Sequence, residues 1–304
     1  MINSVQMQES LYNNFNIVKS PLNYIGGKYK ILSQMLPFFP ANITNFVDLF
    51  TGGCNVGINA HAKTIYCNDN LTYLIDMYKT LQTLSMSKIL LHIDDKIKQF
   101  NLSLENQDGY LQMRNHYNIH KYPLDLFVLI AYSFNHQIRF NNSHHFNNPF
   151  GKNRSSFNQS MRENLINFIY TLHSKNIVFT SNCFTKFDFS FLNSSDFVYC
   201  DPPYLITTGT YNDGKRGFDG WNEKEECALL EILTNLNKKG IKFALSNVLK
   251  HKGKTNDILQ DWINSNDGYN VHYINKNYSN SNYQTLDRNP NASVEVLITN
   301  YKTY

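Results

Sequence analysis

Asn45-Phe46-Val47-Asp48-Leu49-Phe50-Thr51-Gly52-Gly53 is an apolar run that breaks on two glycines. Its length suits a strand, and the glycines suit a turn at the strand's carboxyl end. A helix is predicted next, over Val56 to Ala62, followed by a second strand, Thr64-Ile65-Tyr66-Cys67, that ends in Asn68-Asp69-Asn70. Strand, glycine turn, helix and strand in that order form the opening unit of a nucleotide-binding α/β sheet. The glycine spacing is not GxGxxG, and no phosphate-binding Lys-Ser/Thr pair directly follows it. Neither a dinucleotide fingerprint nor a phosphate loop is met. An adenosyl ligand without phosphates fits the turn better, although a glycine turn after a strand is common.

Further along, Ile177-Val178-Phe179 and Phe197-Val198-Tyr199-Cys200 read as strands. Asn222 followed by Glu225 marks a helix start, Leu229, Leu230, Leu233 and Leu236 recur at helical spacing, and Lys238-Lys239-Gly240 stops the helix. Ile241 to Leu245 and Glu295-Val296-Leu297-Ile298-Thr299 are the closing strands. Alternating strands and helices imply a Rossmann-like, doubly wound α/β fold, with a largely parallel sheet and ligands at its carboxyl edge. Between these regions the chain is first helical (Leu74, Met77, Leu81, Leu84), then irregular and rich in Asn, His, Phe and Arg. The predicted organisation is a sheet domain from residues 1–70 and 176–304, with a smaller domain inserted at 71–175.

Asp201-Pro202-Pro203-Tyr204 follows an apolar strand directly and so lies at the ligand edge. An amino group conjugated to a purine is a poor nucleophile because its lone pair is delocalised. Hydrogen bonds to a carboxylate and to a backbone carbonyl stiffened by two prolines draw it towards tetrahedral geometry. Tyr204 offers a flat face for an extruded base. The plainer alternative is a Pro-Pro turn with Tyr204 packed beneath it. Asp69, at the end of the second strand, is placed to accept from two ribose hydroxyls or to cap the next helix. In Tyr24-Ile25-Gly26-Gly27-Lys28, the glycines permit close approach. Lys28 suits the carboxylate of a methionine tail, and Tyr24 suits the cover of an adenosine. The alternative is a turn with a solvated lysine.

Tyr24 to Lys28, Asp48 to Gly53, Asn68-Asp69 and Asp201 to Tyr204, in this order with a long insert before the last, resemble the Dam-like class-alpha adenine methyltransferases. Ile241 to Asn247 and Glu295 to Tyr301 extend the resemblance. So do Phe134-Asn135, Arg139-Phe140-Asn141 and Phe146 to Lys152, which look like that family's DNA-reading hairpin. The resemblance implies a site-specific enzyme of a restriction-modification system. It would methylate adenine N6 in double-stranded DNA by base flipping and direct in-line transfer from S-adenosylmethionine, with any cognate restriction endonuclease acting separately. Tyr24, Gly26, Gly27, Lys28, Asp48, Phe50, Gly52, Gly53, Asp69 and Asp201 would hold the cofactor. Asp201, Pro202, Pro203 and Tyr204 would hold the flipped base. Asn135, Arg139, Asn141, Asn147, Lys152 and Arg154 would touch DNA, with Arg suited to guanine edges, Asn to adenine and Lys to phosphate. Two departures stand out. Asn23 precedes Tyr24 where the family often carries a nearby Lys, and Cys183 stands before Phe184 in place of an acid, which leaves Asn182 to take that contact.

Composition is consistent with this reading. The chain has 304 residues, 42% hydrophobic and 17% charged, with a formal charge of +4. From Leu126 to Arg162 there is no acid, while Arg139, Lys152, Arg154 and Arg162 are present, which suits a polyanion or a mixed solvated loop. The five cysteines include no CxxC pair, which argues against disulfides and structural zinc and for a reducing cytoplasm. His136, His144 and His145 lack a neighbouring acid or Cys and read as polar loop residues rather than metal ligands. No apolar run approaches the roughly 20 residues of a membrane span, and no cleavable apolar segment precedes Lys19. Leu205 to Trp221 reads either as a loop that orders over the target base or as a long surface loop. Three rivals remain. A cytosine-amino methyltransferase more often carries Ser in place of Asp201, a cofactor- and nucleic-acid-binding protein would lack catalysis, and a dinucleotide oxidoreductase is disfavoured by the absent fingerprint.

Overall fold

The computed structural model describes residues 17–207, 221–275 and 293–302. Most of the Leu205–Trp221 loop, including its four glycines, Lys215 and Arg216, lies outside them. The strands are β1 (Ile43–Asp48), β2 (Ala62–Asn68), β3 (Ile177–Thr180), β4 (Phe197–Cys200), β5 (Lys242–His251), β6 (Lys254–Thr255), β7 (Asn270–Ile274) and β8 (Ser293–Thr299). They form one sheet in the order β3-β2-β1-β4-β5-β8-β7, with β6 paired to β5. Neighbours from β3 to β5 are parallel, while β8 is antiparallel to both β5 and β7. The result is a mixed α/β fold with a mostly parallel central sheet.

Side chains alternate between two apolar faces, as a strand's period of two requires. Phe46, Phe197, Tyr199, Ala244 and Leu297 join one core cluster, and Val47, Val198, Cys200, Phe243, Leu245, Val296 and Ile298 join the other. On the second face lie α7 (Glu223–Lys238) and α8 (Asp257–Asn264). On the first lie the short α1 (Leu32–Met35) and the helices of the long connection between β2 and β3. These are α2 (Thr72–Thr83), α3 (Met86–Gln99), α4 (Gln107–His120), α5 (Pro123–Tyr132) and α6 (Gln159–Ser174). Their buried side chains belong to the same cluster as Phe46 and Tyr199, so apolar packing is continuous from the sheet into this segment.

Three expectations are corrected. The helix expected over Val56 to Ala62 is a single 3-10 turn, Gly57–Asn59. A Cβ on Gly57 would sit 2.5 Å from the Cys67 sulfur, so the turn is pressed onto β2, and β2 itself begins at Ala62. β5 runs to His251, well past Leu245, because Tyr199 binds Ser246 across the sheet (O···O 2.8 Å) and Glu226 accepts from Asn247 (2.9 Å). At the start of α7 the expected Asn222 cap is present, its side chain accepting from the Lys224 N–H, but the first-turn acid that bonds back is Glu226 rather than Glu225, accepting from Trp221 Nε1 at 2.7 Å.

Candidate active site

The register brings three acids to one edge. Asp48 pairs with Cys67 on β2 and with Tyr199 on β4, so Asp69 and Asp201 each lie two residues beyond that row, at the carboxyl ends of parallel strands. β8 runs the opposite way, and Glu295, opposite Val248, reaches the same edge from its amino-terminal half.

The glycine turn is held from below and covered from above. Asp48 Oδ2 accepts from Gly57 N (2.9 Å) and Thr51 Oγ1 (3.1 Å). Asp69 Oδ2 accepts from Gly52 N, and its Oδ1 accepts from Leu71 N just before α2, both at 2.9 Å. Asp69 thus ties the turn to Leu71, the residue before α2, without capping that helix. Tyr24 lies over the glycines. A Cβ on Gly52 would meet its ring at 2.9 Å, and one on Gly53 would meet its Cβ at 2.8 Å. Gly52 also has φ +43°, a backbone that side chains strain to adopt. Tyr78 donates to Gly52 O at 2.8 Å from α2. Phe50 faces away, in a ring cluster with Phe184 (5.4 Å) and Trp221 (5.7 Å).

Lys28 is buried, not solvated. Its Nζ lies 2.8 Å from Asp201 Oδ1 and 3.6 Å from Glu295 Oε1, and it donates to Gly26 O at 3.0 Å. The Tyr204 hydroxyl lies 3.2 Å from Asp201 Oδ1 and 3.0 Å from Glu295 Oε1, so its one proton can serve either acid, while the Lys28 ammonium sits 5.0 Å from its ring centroid. Burial alone would lower the Lys28 pKa, but the two carboxylates outweigh it and hold it above the ordinary lysine value. Pro202 is buried beneath the turn. Sequence reasoning treated Glu295 only as part of a strand. Its signal was a lone acid between Val294 and Val296 in an otherwise apolar run.

Asp48 is pushed up to about 7 by burial, with the charges of Asp201 and Asp69 adding to the effect. Its Oδ1 is buried without a hydrogen-bond partner. Between pH ~4 and 7 the unfolded chain releases a proton that the folded chain keeps, so stability falls as pH rises through this window and is level above it. Asp48→Asn keeps the acceptor and removes the ionisation. The variant's stability relative to wild type is therefore expected to rise by at most roughly 4 kcal/mol between pH 4 and 8. Parallel unfolding curves for the two proteins across that range would contradict this.

The six residues expected at DNA lie on one irregular stretch after α5. Arg139 to Asn147 is a hairpin closed by a Phe140–Phe146 bridge. Arg139 Nε donates to Asn147 Oδ1 at 2.8 Å, and Asn147 N to Arg139 O at 2.9 Å. Asn141 Oδ1 accepts from Ser143 N and His145 N, so this side chain shapes the tip. Lys121 anchors the hairpin by donating to His144 O (2.7 Å) over the rings of Tyr73, Tyr117 and Phe140. Arg154 stacks on Phe134 at 4.7 Å, Lys152 is exposed, and Asn135 O accepts from Asn23 at 3.2 Å. That last bond joins the hairpin's base to the segment carrying Tyr24 and Lys28. Cys183 is exposed, with its sulfur 3.2 Å from Thr185 Oγ1, and Asn182 is held through its backbone by Asn68. Among the described residues there is no cluster of His, Cys, Asp or Glu suited to a metal, and no helix long and apolar enough to cross a membrane.

Comparison with known proteins gives the family. Over 286 residues the chain is 54% identical to modification methylase StsI of Streptococcus sanguinis, covering 94% of this chain and 43% of that protein. It is 48% identical to type II methyltransferase M.FokI of Planomicrobium okeanokoites, covering 100% of this chain and 47% of that one. It is 34% identical to modification methylase LlaI of Lactococcus lactis, covering 96% and 45%. The chain thus spans less than half the length of these curated relatives. A family model described as D12 class N6 adenine-specific DNA methyltransferase matches residues 24–280, a span that holds the glycine turn, the three edge aspartates and the hairpin. The chain belongs to the D12 class N6 adenine-specific DNA methyltransferase family.

Proposed function

We propose that this chain methylates N6 of an adenine flipped out of double-stranded DNA, using S-adenosylmethionine, as the modification enzyme of a restriction-modification system whose endonuclease acts separately. The observation that carries the reading is the cluster of Asp201, Tyr204, Lys28 and Glu295 on a Pro-Pro turn at the carboxyl edge of the sheet. Asp201 accepts a hydrogen bond from the target amine, the proline-stiffened backbone supplies a second acceptor, and together they free the nitrogen lone pair. Tyr204 offers its ring to the displaced base. Asp48, Asp69 and Asp201 make the edge acidic, which suits a cationic sulfonium ligand, and Tyr24 over Gly52 and Gly53 lies beside that ligand's place. Gly26 and Gly27 let the Lys28 segment approach, and Phe50 contributes to an apolar wall. S-adenosylmethionine, when bound, supplies an electrophilic methyl group.

Residues 71–175 serve as the target-recognition region in this reading. Asn135, Arg139, Asn141, Asn147, Lys152 and Arg154 face the duplex, the longer basic side chains on phosphates and guanine edges. Incubating the purified protein with S-adenosylmethionine and unmodified duplex DNA, then mapping modified bases, is expected to give N6-methyladenine within one short sequence. Methylation of cytosine, or binding of both ligands with no modified base, would replace this reading with one of its rivals.

A further inference from the structure

The mechanism above uses Asp201 as an acceptor, yet Asp201 Oδ1 is already engaged by Lys28 (2.8 Å) and by the Tyr204 hydroxyl (3.2 Å). Both donors have a second carboxylate within reach. Glu295 Oε1 is 3.0 Å from the same hydroxyl and 3.6 Å from the same ammonium. Glu295 is buried, with a side-chain exposure of 1% against 19% for Asp201. One acid is therefore placed to meet an incoming group, and the other to stay behind. We propose that Glu295 is a positioning residue that takes over Lys28 and Tyr204 when the target amine reaches Asp201, leaving the Asp201 carboxylate to the amine. This rests on the reading of Asp201 as the amine's acceptor.

A carboxylate held by a buried ammonium is a weaker hydrogen-bond acceptor for a neutral amine, because its charge is already compensated. Shifting Lys28 by less than an ångström towards Glu295 turns its longer contact into a bonded one and loosens the shorter. The exchange needs no proton transfer and no net change of charge. It does require a second anion at residue 295.

Glu295→Gln keeps a neutral acceptor for Tyr204 but removes the second negative charge beside Lys28, and Glu295→Met keeps the volume while removing both functions. With S-adenosylmethionine and DNA saturating, single-turnover methyl transfer is expected to fall at least tenfold in the Gln variant and further in the Met variant. In the Gln variant, binding of S-adenosylmethionine and of DNA should stay within twofold of wild type and the melting temperature should be near-native. A single-turnover rate for Glu295→Gln within twofold of wild type would overturn the proposal, as would a rate loss matched by equal losses of binding and stability. In a separate arm, 2-aminopurine at the target position reports base extrusion, which is expected to persist in the Gln variant. If wild type itself modifies no adenine, the functional reading fails, and that outcome is distinct from a failure at Glu295.

Discussion

Asp201→Ala is expected to reduce methyl transfer by about three orders of magnitude while leaving a folded protein. Removing one preorganised hydrogen-bond partner from a reacting centre typically costs a factor of 10²–10³. Here the same carboxylate also orients Tyr204, so the loss should lie at the upper end. Stability should change little. The Asp201 side chain is 19% exposed, and Lys28 keeps Glu295 as a counter-ion in the variant. Single-turnover transfer and thermal unfolding measured on one preparation separate the two effects. Transfer within tenfold of wild type in a native-like Asp201→Ala protein would remove the basis of the proposed chemistry.

The second large effect is expected at Lys28. Lys28→Met removes the ammonium that lies 2.8 Å from Asp201 and 3.6 Å from the buried Glu295. Breaking a buried ion pair from one side costs roughly 3–5 kcal/mol, because the remaining charge is uncompensated. Two acids must then share the loss, one of them partly solvated, so about 3 kcal/mol is expected at pH 8. An acid stranded in this way is tolerated best when it holds a proton. The deficit should therefore shrink at pH 5 and grow as pH rises. Denaturant unfolding of both proteins at the two values tests the magnitude and the sign. A deficit below about 1 kcal/mol, or one that is equal at both values, would mean that the triad contributes little to stability.

Much of the sheet is legible in the sequence. β1, β2, β3, β4 and β8 are apolar runs ended by polar or glycine residues, and their physical signal is local. α5 is less legible for the opposite reason. From Leu124 to Tyr132 every residue is buried, Asp125 included, so no amphipathic period marks a helix. The Val56–Ala62 error arose because helical propensity was weighed without the close packing of Gly57 on Cys67, which is a tertiary fact. At the site, the strand motifs are legible enough to put Asp48, Asp69 and Asp201 at one edge of the sheet. Their partners were another matter. That Lys28 would spend its charge on Asp201 and on an acid from the far end of the chain depends on antiparallel insertion of β8 beside β5, which no local pattern specifies. The sequence likewise does not show that Asn141 Oδ1 shapes the hairpin tip by accepting from Ser143 N and His145 N.

The insertion of β8 between β5 and β7 has a consequence for the order of synthesis. Residue 28 leaves the ribosome early, residue 201 much later and residue 295 later still, yet all three meet at one point. Until Glu295 has emerged, a nascent chain carries Lys28 and Asp201 without this second acid, and β5 has an open flank where β8 belongs. Assembly of this cluster therefore waits on β8, and a product truncated before residue 293 is expected to lack it.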